Sequence, residues 1–240
     1  MKHLSLPLPL HLPLPVPSPW RLPRSWRLAA AALALLLAGG CSTLLPAAPA
    51  PPLVYSLDNA QDAPVGVPRG AVSAPASAPA SAPRPGPTLI VNTPRAAPGF
   101  DSPHIVYVRQ AHQLEHFAHS EWVDTPARML APLIVAAFQN GGGFTAVALA
   151  PSTAAGEFRL DTELVRLQQE FGATPSRVRF TLRATLVDNA TRRVLASREF
   201  EAALDAPSDD PYGGVLAANQ AVRAVLSQLV AFGNAVASRR

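Results

Sequence analysis

The sequence predicts an α+β fold, with a mainly antiparallel sheet of about five to seven strands and two helices packed on one of its faces. Two patterns carry this expectation. Between Arg177 and Val187, the residues Val178, Phe180, Leu182, Ala184 and Leu186 alternate with Arg177, Arg179, Thr181, Arg183 and Thr185, the period of a strand with one face in a core and the other in water. Towards the C-terminus, Val215, Ala218, Val222, Val225, Leu229 and Phe232 recur at spacings of three and four, which draws one apolar stripe along a long helix.

The remaining elements follow in chain order. Leu53 to Leu57 alternates apolar and polar residues and is a candidate first strand. Thr88 to Asn92 and His104 to Arg109 are short extended runs separated by a Pro-Gly loop. Asp124-Thr125-Pro126 places a capping side chain before a proline that needs no amide hydrogen bond. Leu130, Leu133, Ile134, Ala137 and Phe138 then follow at helical spacing until Gly141-Gly142-Gly143 supplies a left-handed stop. Phe158 to Phe171 forms a long strand whose apolar phase slips near Leu164-Val165, which a bulge explains. Asp188-Asn189-Ala190-Thr191 is a turn, and Val194, Ala196, Phe200, Ala202 and Leu204 form a returning strand with Glu199 and Glu201 on its polar side. Ser208-Asp209-Asp210-Pro211 opens the final helix with a capping side chain and a proline.

Composition restricts where this fold can lie. Of the 27 prolines, 21 precede Ile105, and each removes a backbone donor, so a dense run of them opposes both helix and sheet. The sequence accordingly divides into a signal peptide with an N-terminal extension (1–40), a lipidated N-terminus with the candidate first strand (41–58), an Ala/Pro/Ser-rich spacer expected to be disordered or polyproline-like (59–87), and a periplasmic domain (88–240). The net charge of +4 suggests nucleic acid, yet Lys2, Arg21, Arg24 and Arg27 all fall in the first forty residues, which hold no acid. Removing those four cations from +4 leaves a mature chain of net charge zero, with no counterion-release drive towards DNA or RNA.

The N-terminus carries the most specific signal. Residues 28–38 are an apolar run behind Arg21, Arg24 and Arg27, the layout of a secretory signal. The run is too short for the roughly twenty residues of a membrane-spanning helix. Leu37, Ala38, Gly39 and Gly40 before Cys41 resemble the recognition site of lipoprotein signal peptidase, with Cys41 as the lipid acceptor. Cys41 is also the sole cysteine, which excludes an intrachain disulfide. Ser42 follows it where an aspartate would signal retention in the inner membrane, so the resemblance implies an outer-membrane anchor, held through palmitate-type acyl chains on the periplasmic face.

Reactive constellations are not apparent. The run His112-Gln113-Leu114-Glu115-His116-Phe117-Ala118-His119 invites a metal, but it lacks a His-Glu-x-x-His order and suits a solvated strand or loop. No Gly-x-Ser-x-Gly elbow occurs, and Gly141-Gly142-Gly143 is followed by no Lys-Ser or Lys-Thr. Arg159, Asp161 and Glu163 against Arg177, Arg179 and Arg183 form a cross-strand charge ladder on solvated faces. Trp122, just before the first helix, packs over the helix start or stands exposed as a binding anchor. No cofactor, no metal and no catalytic residue is expected.

Residues from about 88 to 235 resemble the auxiliary lipoprotein component of ABC-type transport systems, the kind that accompanies mammalian-cell-entry (MCE) proteins in Pqi-type assemblies. The marks are Ile105-Val106-Tyr107-Val108-Arg109, Trp122 followed by Pro126 and Met129-Leu130, Gly143-Phe144 leading to Val147, Leu160-Asp161-Thr162-Glu163-Leu164, Arg192-Arg193-Val194-Leu195, and Ser208-Asp209-Asp210 before an Ala-rich helix. Tyr55 resembles a residue of the family's first strand, although the spacer that follows is longer than is usual. The resemblance implies a non-enzymatic role: docking to an MCE-domain protein that works with an inner-membrane permease and ATPase in lipid transport, with room for a homo-oligomer. It implies structural or docking roles for Tyr55, Tyr107, Arg109, Trp122, Pro126 and Asp161. A lipoprotein that assembles or plugs an outer-membrane barrel and a periplasmic metal-dependent enzyme are the competing expectations.

Overall fold

The computed structural model describes residues 51–58 and 86–239; the signal segment, Cys41 and nearly all of the spacer lie outside them. The described residues fall within one compact unit, Ala50–Arg240.

Strands β1 (Leu53–Tyr55), β2 (Thr88–Val91), β3 (Arg95–Ala96), β4 (His104–Val108) and β5 (Glu115–Trp122) precede helix α1 (Pro126–Gly141). Strands β6 (Ala146–Leu149), β7 (Phe158–Glu170), β8 (Arg177–Asp188) and β9 (Val194–Asp205) lead to helix α2 (Pro211–Ala237). The fold is α+β, as expected, but the sheet has nine strands and is mixed. The ladders β7–β8, β8–β9 and β4–β5 are antiparallel, whereas β1–β5, β2–β6, β2–β7, β3–β7 and β4–β7 are parallel.

Proline explains the departure. One edge of β7 pairs with β8 along its whole length, while the other takes β2 at Phe158 to Leu160, β3 at Glu163 to Leu164 and β4 at Gln169 to Glu170. Pro94, Pro98 and Pro103 lack the amide needed to continue a ladder, so they cut this edge into short pieces. No hairpin reverses the chain between the pieces, so all three run in the direction of β7. Each is tied in at its end by a backbone bond: Asn92 N–H to Leu160 at 2.9 Å, Ala97 N–H to Leu164 at 2.8 Å, and Phe171 N–H to Val108 at 2.9 Å. Beyond this edge the sheet forks, with β6 on β2 and β5 then β1 on β4.

The slip of apolar phase in β7 is a bulge. Leu164 pairs with Leu182 and Arg166 with Thr181, which leaves Val165 without an opposite residue. The extra residue exchanges faces, so Phe158, Leu160, Thr162 and Leu164 before it and Leu167 and Gln169 after it all turn into the core. The hairpin turn also forms as expected, with Asp188 Oδ1 accepting from the amides of Ala190 and Thr191 at 3.0 Å each.

Helix α1 stops where the glycines allow it, Gly142 and Gly143 having φ of +67° and +86°. Its start differs from expectation. Thr125 is the N-cap residue but its hydroxyl makes no capping bond; instead Asp124 accepts from the Thr125 amide at 2.7 Å and pairs with Arg128 at 3.2 Å. Proline at the first helical position removes one of the donors that a cap would satisfy. In α2 the expected cap is present, Asp210 Oδ1 accepting from the Gly213 amide at 2.7 Å. Its first turn lies so close to β7 that a Cβ on Gly214 would sit 2.2 Å from Oε1 of the buried Gln169 and would push that amide aside.

Both helices close over the sheet in one core, with Phe138, Phe180, Phe200, Leu130, Ile134, Leu164 and Leu182 fully enclosed. Arginines of β8 bridge to both neighbouring strands: Arg183 to Glu163 and Glu199 at 2.9 Å each, and Arg179 to Glu170 at 2.8 Å and Glu201 at 2.6 Å. The ladder thus joins three strands, and Asp161 and Arg159 pair with one another at 3.3 Å along β7 instead of with the β8 arginines. The Arg179 guanidinium holds the Glu170 carboxyl below its ordinary range.

Inserting one residue between Leu160 and Asp161, outside the bulge, should put Phe158 and Leu160 out of phase with Leu164 and Leu167 and cost about 3–5 kcal/mol, as much as a large core truncation. Val165→Ala, which keeps the register, should cost less than about 1 kcal/mol. Urea unfolding of the two variants checks the difference.

Candidate functional site

The family-motif residues gather at three places. The first is where the N-terminal strand joins the sheet. Tyr55 of β1 stands opposite Trp122 of β5, and the Val123 amide donates to the Tyr55 carbonyl at 2.7 Å. Trp122 is 4% exposed, so it is a packed residue and not a protruding anchor. It lines a small apolar recess with Ile105, Val106, Leu167, Val178 and Ala218, and its amide donates to the Pro103 carbonyl at 2.7 Å. Pro126, also buried, opens α1 four residues later.

A residue that sequence reasoning missed completes this place. Asn219 of α2 faces the tail of β1 and meets both of its backbone polarities: its Oδ1 accepts from the Asp58 amide at 2.8 Å and its Nδ2 donates to the Ser56 carbonyl at 3.2 Å. The amide group thus acts as a short strand partner for a segment that has no other ladder there. Leu57, between the two bonds, is 5% exposed, so the clamp seats an apolar side chain in the core. Asn234 repeats the device further along α2, donating to the Gly141 carbonyl at the end of α1 at 3.3 Å. On sequence alone, a polar residue beside an apolar helical stripe looks like a solvated one; the partner, some 160 residues away, carries no local signal.

The second place is the β4–β5 hairpin. The Tyr107 hydroxyl donates to Glu115 at 3.2 Å and Arg109 Nε donates to the same carboxylate at 3.0 Å, with a second guanidinium nitrogen on its other oxygen. The paired arginine keeps the Glu115 carboxyl below its ordinary range. The Tyr107 ring packs 4.5 Å from Phe117 and 5.7 Å from Phe171, and the Arg109 guanidinium lies 5.5 Å from its centroid. The third place is Asp161, which accepts from Asn92 Nδ2 at 2.6 Å and so fastens the end of β2 to β7.

These groups are engaged in holding strands together. The histidines are spread out: His112 occupies a turn with φ of +68°, His116 stacks on His104 at 5.0 Å, and His119 is exposed on β5. Among the described residues no group of three or more His, Cys, Asp or Glu is placed to hold a metal ion. The recess beside Trp122 encloses about 10 Å³, barely the space of one water and far below the several hundred Å³ of a ligand pocket. Larger spaces are open grooves on the surface, one between α1 and α2 and one between β9 and α2.

An α+β domain that spends its polar residues on clamping its own strands, on a chain with a cysteine behind an apolar leader, has the character of an envelope lipoprotein. The comparisons make the class specific: residues 71–230 match the family of ABC-type transport auxiliary lipoprotein components, and this chain belongs to that family. A crystal structure of a Xanthomonas campestris protein of the DUF330 family is similar over 65% of this chain and 89% of that one, with 26% identity and a TM-score of 0.61. A second crystal structure, of an uncharacterized protein, shares the fold over 75% of this chain and 97% of that one, at 12% identity and a TM-score of 0.55. No curated protein matches the chain. Strand β1 precedes the matched stretch, yet it is part of the sheet.

Asn219→Ala should lower stability by about 1–2 kcal/mol, the net worth of two hydrogen bonds to backbone. Asn219→Asp, which keeps the acceptor and loses the donor, should fall between. Denaturant midpoints of the three proteins check the order.

Proposed function

We propose that this chain is acylated at Cys41, stands on the periplasmic face of the outer membrane, and serves without catalysis as the docking component for an MCE-domain protein whose inner-membrane permease and ATPase drive lipid transport. Membership of the auxiliary lipoprotein family supports association with an ABC transport system. The observation that carries the finer reading is the pairing of β1 with β5. Only 11 residues separate Cys41 from Leu53, and at full extension the segment spans roughly 40 Å. A folded domain on so short a tether is held at the membrane surface as a station, where partners come to it. The small recess beside Trp122 agrees with docking, since a carrier would enclose its cargo.

Three acyl chains make an effectively permanent anchor, so Cys41→Ala should abolish palmitate labelling and move the protein out of the outer-membrane fraction. In the unmodified protein, crosslinking in the periplasm should recover an MCE-domain protein. Palmitate labelling that persists in Cys41→Ala contradicts the anchor, and recovery of a β-barrel in place of the MCE protein contradicts the docking role.

A further inference from the structure

Exposed apolar side chains are unevenly placed on this domain. Among the described residues seven large hydrophobic side chains are exposed: Leu53, Val54, Leu114, Val123, Leu149, Val194 and Tyr212. Four of them surround β1. Leu53 and Val54 are 62% and 57% exposed, Val123 is 62% exposed and Tyr212 is 55% exposed. Strand alternation sends Leu53 and Tyr55 to one side of the sheet, where the Tyr55 and Tyr212 rings lie 6.4 Å apart, and Val54 to the other side with Val123, whose amide donates to the Tyr55 carbonyl at 2.7 Å, so the two groups meet across the β1 edge. Among the described residues β1 pairs with β5 alone, so its side chains stand at the margin of the sheet.

We infer that this patch, formed by Leu53, Val54, Tyr55, Val123 and Tyr212, rests on the phospholipid surface of the membrane that holds the acyl chains of Cys41. The inference rests on the anchor reading above. The 11 residues between Cys41 and Leu53 end at the patch itself, so of all the surfaces of the domain it is the one kept within a tether's length of the lipid. Such tethering makes a second, weak contact effectively intramolecular. The chemistry suits an interface: small aliphatic side chains beside two tyrosines, whose rings are apolar and whose hydroxyls remain wet.

Charge defines the kind of surface. Acids near the patch are already engaged: Glu121, opposite Val54, lies 3.5 Å from His104, Asp58 accepts from the Ser56 hydroxyl at 3.4 Å, Asp124 pairs with Arg128 at 3.2 Å, Asp210 caps α2 at 2.7 Å, and Asp209 accepts from the Ser176 amide at 2.6 Å. The one cation named here, Arg128, is the partner of Asp124. The contact is therefore with the zwitterionic interface through apolar side chains, and it does not depend on anionic lipid or on salt.

Cys41 is the sole cysteine, so in the acylated protein a new cysteine carries a label alone. Full-length lipoprotein bearing Val54→Cys, Val123→Cys, Leu149→Cys or Val194→Cys is labelled with an environment-sensitive fluorophore and reconstituted into phosphatidylcholine vesicles containing nitroxide-labelled acyl chains. Lipid quenching at positions 54 and 123 at least threefold stronger than at 149 and 194, unchanged by half-molar salt, is the expected result. Equal, weak quenching at all four positions overturns the inference. So does shielding of 54 and 123 from aqueous iodide without lipid quenching, which points to a second copy of the chain on the β1 edge. Mass spectrometry and vesicle flotation of the same samples report the anchor separately. An acylated protein with an unquenched patch refutes the inference and leaves the anchor standing; an unacylated protein overturns the anchor and, with it, the inference that rests on it.

Discussion

The structure depends on β7 being bonded along both edges. One edge is a continuous antiparallel ladder with β8, and the other is shared by three short parallel strands in succession. A thirteen-residue strand with partners on its second edge at both ends and in the middle must turn a consistent apolar face to the core, and the bulge at Val165 achieves this. The two branches of the sheet, β2–β6 at one end of β7 and β4–β5–β1 at the other, follow from how the prolines divide its second edge. Helix α1 then runs from Trp122 at the end of one branch to β6 on the other, and α2 covers β8 and β9.

That geometry gives the N-terminal strand its place. β5 is available to β1 because β4 occupies only the end of β7, so the branch extends outward until its last free edge faces the incoming chain. Helix α2 supplies the other half of the seat through Asn219, whose side chain replaces ladder bonds that β1 is too short to make. Long-range backbone clamping of this kind costs little and positions much. Its consequence is a domain whose distance from Cys41 is set by the residues before Leu53 and not by the whole length of the Ala/Pro/Ser-rich segment, which comes after β1 in the sequence.

Legibility in the sequence tracks local physics. The half-buried antiparallel strands β8 and β9, the long helix α2 and even the phase slip in β7 announce themselves, because each element's burial writes a period into its own residues. Strands β3 and β6 do not, being two and four residues long. In β5, His116, Ala118, Ser120 and Trp122 share one side, and burial reaches only Ser120 and Trp122, so its apolar signal is faint. Parallel pairing was invisible for a different reason: strand direction depends on where prolines prevent a reversal, not on side-chain period. The same split holds for the site. Tyr55, Trp122 and Pro126 were legible as motif positions, and the structure brings them together; Asn219, which locks them to α2, acts across a separation that no local pattern records.

Whether Leu53 to Leu57 is structural sheet or tether is read by native-state amide exchange. The predicted result is protection of the Val123 amide, which bonds to Tyr55, and of the Asp58 amide, which bonds to Asn219, within about tenfold of those from Val178 to Leu186 in β8. Exchange of the Val123 and Asp58 amides at the rate of an unstructured peptide, with Val178 to Leu186 still protected, would contradict the sheet pairing.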